Sequence, residues 1–381
     1  MAYFDNAATT YPKPECVYDF MDSFYRSTGA NAGRGNYKLA QSAGSMISET
    51  RNLLQELLHC QAKQVIFTPT STIALNIIIQ GIIAKGIHNI YISPFEHNSV
   101  TRTLHHFETN GKISVHQLYV SKEMVYDLDK IRYQFDEVKP DFVIISHASN
   151  VFGLIAPVED IFRLAKNYQA ITLIDMSQTA GLVDFNAGLD TVDFAVFDGH
   201  KTLYGPTGIA GFVINPAVKP EPVLFGGTGF ESANQDMPQD LPQRYEAGTL
   251  NITGIAGLNA ALKWIFKIQV FDLFDKEKEH RNRLIELLQR YSFVKIIGNY
   301  KDNNYIGIVS CLLDGISSDS AGPVFDRLGI AVRTGLQCAP LAHQFMGTFP
   351  AGTVRFSVGY FTSEKDFKEL EDALDYIDSE I

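Results

Sequence analysis

From Gln64 to Val213 the chain alternates short β-branched runs with longer helical stretches, and no other feature restricts its fold as strongly. Candidate strands are Gln64 to Thr68, Asn89 to Ser93, Ile113 to Tyr119, Phe142 to Ser146, Ile171 to Asp175, Phe194 to Phe197 and Gly208 to Ile214. Helices are expected over Thr72 to Ala84, Asn98 to Glu108, Leu128 to Phe135 and Val158 to Asn167. Such βαβ repetition predicts an α/β protein with a large, mostly parallel seven-stranded sheet, covered on both faces, that binds ligands at the carboxyl ends of its strands. With 381 residues, 45% of them hydrophobic, there is enough chain for a second core. Residues 216–247 hold Pro216, Pro220, Pro222, Pro238 and Pro242 and read as a long functional or contact loop. Beyond it lies a strongly helical stretch, Gly254 to Arg290. Strands near Val294 to Ile297, Ile306 to Leu312 and Thr353 to Ser357 come next, then a helix capped by Ser363 and Asp366, together suggesting a smaller α+β domain.

Several partner classes are disfavoured. The net charge of -11, without a Lys/Arg block, argues against nucleic acid and anionic membrane. The densest apolar stretch, Ile73 to Ala84, is broken by Asn76, Gln80 and Gly81, so no bilayer span is expected. The start Met1-Ala2-Tyr3-Phe4-Asp5 lacks the basic and apolar regions of a secretory signal, which makes a cytoplasmic protein the expectation. Cys16, Cys60, Cys311 and Cys338 show neither disulfide-framework nor zinc spacing, and His105, His106 and His116 form no ligand pattern, so no metal is expected.

Four places could carry chemistry. Lys201 follows Asp198-Gly199-His200 at the end of an apolar run, where an amine is exposed, paired or covalently used. Asp175 closes the run Ile171 to Ile174; a helix cap explains it equally well in isolation, but with Lys201 it puts a carboxylate and an amine at neighbouring strand ends. Thr70-Ser71-Thr72 opens a helix, a place suited to a phosphate or simply to N-capping, and His97 lies on the same edge. Cys338 sits in a glycine-containing loop near Arg333, with Arg355 downstream. Positive charge there would favour a thiolate, whereas Cys16, Cys60 and Cys311 stand in apolar or helical contexts.

These signals occur in one order: Phe4-Asp5-Asn6-Ala7-Ala8-Thr9-Thr10, Asn31-Ala32-Gly33-Arg34-Gly35, Glu96-His97, Ser149 to Gly153, Asp175-Met176-Ser177-Gln178, Gly199-His200-Lys201, Glu246 to Thr249 and Arg333 to Cys338. In that order the chain resembles the class V aminotransferase family of fold-type-I pyridoxal-phosphate enzymes, nearest its cysteine desulfurases and selenocysteine lyases. The resemblance implies that Lys201 holds the cofactor as a Schiff base, Asp175 pairs with the ring nitrogen, His97 stacks on the ring and Gln178 contacts the ring hydroxyl. It assigns phosphate contacts to Ser71, Thr72 and His200, with Thr249 donated across a homodimer interface. Asn150 and Arg355 become the substrate-carboxylate clamp, Arg34 and Arg333 lie near the entrance, and Cys338 accepts sulfur. The implied domains are an N-terminal arm, 1–15, that packs with the small domain, a large cofactor domain, 16–250, and a small domain, 251–381. The implied activity releases alanine from cysteine and leaves a persulfide on Cys338. The short Arg-x-Gly-x-x-Cys loop resembles the second desulfurase group, which passes its sulfur to an acceptor protein. Alternatives on this scaffold are a selenocysteine lyase, an aminotransferase or another lyase, and a non-catalytic sulfur-relay partner. Three positions depart from the family: Asp198 replaces a Ser or Thr, Thr70 a Gly and Ile73 a Glu.

Overall fold

The computed structural model describes residues 1–32, 35–231, 233–298 and 304–380. A short strand β1 (Ala2–Tyr3) precedes helices α1 (Glu15–Thr28) and α2 (Lys38–Leu57). The alternating region gives β2 (Gln64–Thr68), α3 (Ser71–Ile83), β3 (Asn89–Ile92), α4 (Asn98–Thr109), β4 (Ser114–Gln117), α5 (Leu128–Glu137) and β5 (Phe142–Ser146). It continues through α6 (Val158–Lys166), β6 (Ile171–Asp175), β7 (Phe194–Asp198) and β8 (Ala210–Ile214). Helices α7 (Ile252–Ile268) and α8 (Val270–Leu288) lead to β9 (Val294–Ile297), β10 (Ile308–Leu313), α9 (Ser318–Arg327) and β11 (Ile330–Ala331). The chain closes with β12 (Arg333–Gly335), α10 (Pro340–Met346), β13 (Thr353–Ser357) and α11 (Glu364–Glu380).

The large sheet has seven strands in the order β2-β8-β7-β6-β5-β3-β4. Its core is parallel, β3 on β5, β5 on β6 and β6 on β7, while β8 runs antiparallel to β2 and β7. The central strands are apolar on both faces because both are covered. Phe142, Ile144, Leu173, Phe194 and Val196 face one core with α3. Val143, Ile145, Ile174, Ala195 and Phe197 face the other. This period-two division of a continuous apolar run is what a doubly covered sheet requires. The register aligns Ser146, Asp175 and Val196, so the polar residues that close β5, β6 and β7 gather at one edge.

The second sheet is antiparallel, in the order β12-β13-β10-β9, and shares a separate core with α11 and with Ala2 and Phe4 of the arm. Phe4 is fully buried, edge-on to Phe356 and Phe367, and β1 pairs in parallel with β11. The arm then returns to the large sheet, where Ala7 O accepts from Gln178 and His200 O accepts from Thr9 and Thr10. The expected helical stretch is two helices, separated at Gln269, whose φ is +80°. Although α7 follows residue 250, Ile255, Leu258, Leu262 and Ile265 pack into the large core, because its apolar stripe meets α1 and α2. The second core therefore draws on the later turns of α8 and on the strands and helices beyond it. Among the described residues no helix is long and apolar enough to cross a membrane.

Candidate active site

At the carboxyl edge of the large sheet a small cavity of about 30 Å³ is lined by Ser71, His97, Ser99, Ser146, Ala148, Asn150, Asp175, Ser177, Gln178 and Lys201. Lys201 reaches it because the chain turns sharply after β7. A Cβ on Gly199 would lie 2.5 Å from Ile209 O, so only glycine permits that approach. Thr10 Oγ1 donates to Lys201 O at 3.0 Å and fixes the backbone, while the ammonium lies 4.0 Å from Asp198 Oδ2.

Asp175 is buried, and its Oδ1 accepts from the backbone N–H of Ser177 at 2.9 Å and from Ser177 Oγ at 2.5 Å. His97 caps α4: its Nδ1 accepts from Ser99 N–H at 3.1 Å and lies 2.9 Å from Ser99 Oγ. Burial and then the charge of Lys201 lower its pKa, which favours a neutral ring. Beneath it Glu96 is fully buried, accepting from Ser93 Oγ, Ser146 N–H and Ser146 Oγ at 2.6, 2.7 and 2.8 Å. Burial pushes this carboxyl up to about 7 against those three bonds.

Strand β13 and the loop bearing Cys338 tie into this edge of the large sheet through Asn150 and Asn98. Arg355 is 3% exposed, donates Nη1 to Asn150 O at 2.8 Å and pairs through Nη2 with Asp5 Oδ1 at 2.9 Å. Asp5 Oδ2 lies 2.9 Å from Arg333 Nη2, so one carboxylate bridges two arginines. Asn150 Nδ2 donates to Gln337 O at 2.7 Å, and Asn98 N–H donates to Cys338 O at 2.7 Å. Gln337 and Cys338 both have left-handed φ values, +39° and +60°. His343 is buried beneath this loop, with Nε2 2.9 Å from Gln337 Oε1 and Nδ1 2.8 Å from Thr348 Oγ1.

The expected residues are thus distributed unevenly. Lys201, Asp175, His97, Gln178, Ser71 and Asn150 share the cavity. His200 stands beside it, 3.2 Å from Asp198 Oδ1. Thr72 is exposed and is not a lining residue. Cys338 is exposed and lines an adjacent cleft with Asn98, Arg102 and His105. Thr249 is exposed in a different cleft with Asn31, Arg51 and Glu246. Arg34 lies outside the described residues. The bridging of Arg355 and Arg333 by Asp5, and the support His343 gives to the Cys338 loop, were not read from the sequence, although Asp5 stands in the motif Phe4 to Thr10.

The model of the aminotransferase class-V family matches residues 2–370. The chain belongs to that family. Curated relatives include a probable cysteine desulfurase of Methanothermobacter thermautotrophicus, 28% identical over 98% of this chain and 94% of the relative. Another probable cysteine desulfurase, from Xylella fastidiosa strain Temecula1, is 30% identical over 98% and 90%. Among solved structures, the apo cysteine desulfurase of Thermococcus onnurineus NA1 aligns with a TM-score of 0.91 at 28% identity, covering 100% of this chain and 95% of that one. The cysteine desulfurase CsdA of Escherichia coli shares the fold, with a TM-score of 0.83 at 22% identity over 98% and 94%. This class V member therefore has the fold-type-I arrangement expected from its sequence. Among its described residues no group of three or more His, Cys, Asp or Glu side chains is placed to hold a metal.

Proposed function

We propose that this chain is a pyridoxal-phosphate-dependent cysteine desulfurase that converts cysteine to alanine and leaves the sulfur as a persulfide on Cys338. One observation carries the reading: an amine, a buried carboxylate and a neutral-leaning imidazole converge on one cavity, and the Cys338 loop is hydrogen-bonded to the residue after that imidazole. The donor set suits the cofactor. Lys201 would hold it covalently, Asp175 would keep a proton on its ring nitrogen, His97 would lie against the ring and Gln178 would meet the ring hydroxyl. Ser71, Thr72 and His200 would face the phosphate, joined by Thr249 from the second subunit of a homodimer. When bound, pyridoxal phosphate supplies an electron sink for bonds broken at the substrate's α-carbon.

The protein's own groups do the remainder. Arg355 and Asn150 would orient the substrate carboxylate, with Arg333 near the entrance, and Lys201 Nζ would carry the α-proton. Cys338 Sγ, as thiolate, forms a bond to the substrate sulfur while the carbon–sulfur bond breaks. The electron pair stays on the substrate's β-carbon, a proton there completes alanine, and the transferred sulfur remains as Cys338 persulfide. Because Cys338 lines the outer cleft, the loop must deliver the thiol inward for attack and outward toward a sulfur acceptor. The same reading divides the chain into an arm, a large cofactor domain and a small domain bearing this loop, with α7 packed as part of the large one.

Purified protein supplied with pyridoxal phosphate and cysteine should become yellow and release alanine and sulfide in equal amounts when a thiol reductant is present. A keto acid in place of alanine would replace this reading with an aminotransferase. Turnover of selenocysteine but not cysteine would replace it with a selenocysteine lyase.

A further inference from the structure

Asp198 stands where the resemblance in sequence implies a Ser or Thr, and its surroundings give it an unusual position. The carboxylate is 6% exposed. Its Oδ2 accepts from Ser71 Oγ at 2.9 Å, at the first residue of α3, and its Oδ1 lies 3.2 Å from His200 Nε2. Lys201 Nζ is 4.0 Å away. Lys13 also feels its field, from an ammonium that donates to His200 O at 2.5 Å and to Thr10 Oγ1 at 2.7 Å. Burial alone would raise the Asp198 pKa; the hydrogen bond from His200, the charges of Lys201 and His200 and the bond from Ser71 reverse that and hold it below its ordinary value. An ionised group therefore sits at the start of a thirteen-residue helix, where unpaired N–H groups and the helix dipole favour an anion.

We propose that Asp198 is a built-in anion at the phosphate end of the site, competing with the cofactor's phosphate for Ser71 and His200. The inference rests on the pyridoxal-phosphate reading above. It has a specific consequence: the protein gains less from the phosphate group than a Ser or Thr at this position would allow, so it discriminates weakly between phosphorylated and unphosphorylated cofactor. Two like charges in a partly desolvated pocket repel, and the two donors that Asp198 occupies must be shared or given up when a phosphate arrives. Lys201 supplies positive charge that lets both anions coexist, and Lys13, which burial lowers to about 7 against the field of Asp198, adds to it when protonated.

The test uses the apo forms of the wild-type chain, Asp198→Ser and Asp198→Asn, each titrated with pyridoxal phosphate and with pyridoxal. Binding is read from the absorbance of bound cofactor and from tryptophan fluorescence. The ratio of the two dissociation constants should shift at least tenfold toward the phosphorylated form in Asp198→Ser, while pyridoxal affinity changes little. Asp198→Asn keeps the shape and an acceptor but removes the charge, so it should shift the ratio in the same direction and guards against a folding defect in the Ser variant. An unchanged or reversed ratio in both variants overturns the role of Asp198. Failure of all three proteins to bind either compound, or binding that survives Lys201→Ala with an unchanged spectrum, overturns the cofactor reading itself and this inference with it.

Discussion

The two walls of the site are built on different principles. On the large-domain wall, Asp175 and Lys201 follow apolar strands, so hydrophobic burial of the sheet places them, and local bonds from Ser177 and Thr10 finish their orientation. On the facing side, Arg355 comes off the buried strand β13, but the Cys338 loop is placed by polar ties between distant segments, Asn98 to Cys338 and Asn150 to Gln337, and Arg355 is oriented by Asp5. A wall set by burial is costly to move, whereas a loop held by a few hydrogen bonds can open at modest cost. This difference matches the proposed division of labour, in which one wall keeps a cofactor still and the other moves a sulfur atom.

Substituting the reactive group on each wall is the strongest way to break the comparison. Lys201→Ala should abolish the yellow absorbance and all turnover, since the amine is both anchor and proton carrier. Cys338→Ser should keep the absorbance and lose alanine production by at least a hundredfold, since a hydroxyl is a far weaker sulfur acceptor than a thiolate. Borohydride reduction followed by peptide mapping should find the cofactor on Lys201 in wild type and in Cys338→Ser. Label on another lysine, or full turnover by Cys338→Ser, would contradict the assignment of the walls.

A smaller effect is expected where the arm ties the walls together. In Asp5→Asn the buried Arg355 guanidinium loses its counter-charge, and breaking such a pair costs about 3 kcal/mol. The variant should unfold at clearly lower denaturant concentration than wild type. Alanine, whose carboxylate would take the place of Asp5 beside Arg355 in the proposed clamp, should recover more stability in Asp5→Asn than in the wild-type chain. Equal sensitivity of the two proteins to alanine would separate Arg355 from substrate binding.

The same contrast explains what the sequence discloses. Strand runs and their closing polar residues lie within a few positions of one another, so the sheet, Asp175 and Lys201 can be read directly. Asp5 and Arg355 are separated by 350 positions, and no local pattern announces their pairing. Gln337 and Cys338 adopt left-handed backbone without being glycine, so the loop's shape has no compositional signal. The carboxylate of Asp198 is visible in the sequence, but its direction depends on Ser71, which stands 127 positions earlier. Helix α7 reads as the start of the small domain because it comes directly after the proline-rich segment; only its packing on α1 and α2 assigns it to the large core.

The smallest expected effect separates the walls by pH. Each holds a buried titratable group displaced far from its ordinary range, Glu96 upward and His343 downward, with His97 beside Glu96 displaced downward and partly offsetting it on acidification. Glu96, under His97, is pushed up from 4.5 to about 7 by burial, so between those values the folded chain holds a proton that the unfolded chain releases. Its stabilisation is full at low pH and is lost as pH rises through that window. His343, under the Cys338 loop, is pulled from 6.5 down to about 4 by burial, so there the unfolded chain binds the extra proton. Its neutral form stabilises above 6.5, and that contribution is lost as pH falls toward 4. Moving from pH 7 to pH 5 should therefore strengthen the Glu96 side and weaken the His343 side, each by about 2 kcal/mol. Amide hydrogen exchange, corrected for the intrinsic pH dependence, should show protection rising over residues 93–98 and falling over residues 336–342. Glu96→Gln and His343→Gln should each flatten the response of its own segment and leave the other's intact. Parallel changes in both segments would mean that the walls open as one unit, and the proposed independence of the sulfur-carrying loop would fail.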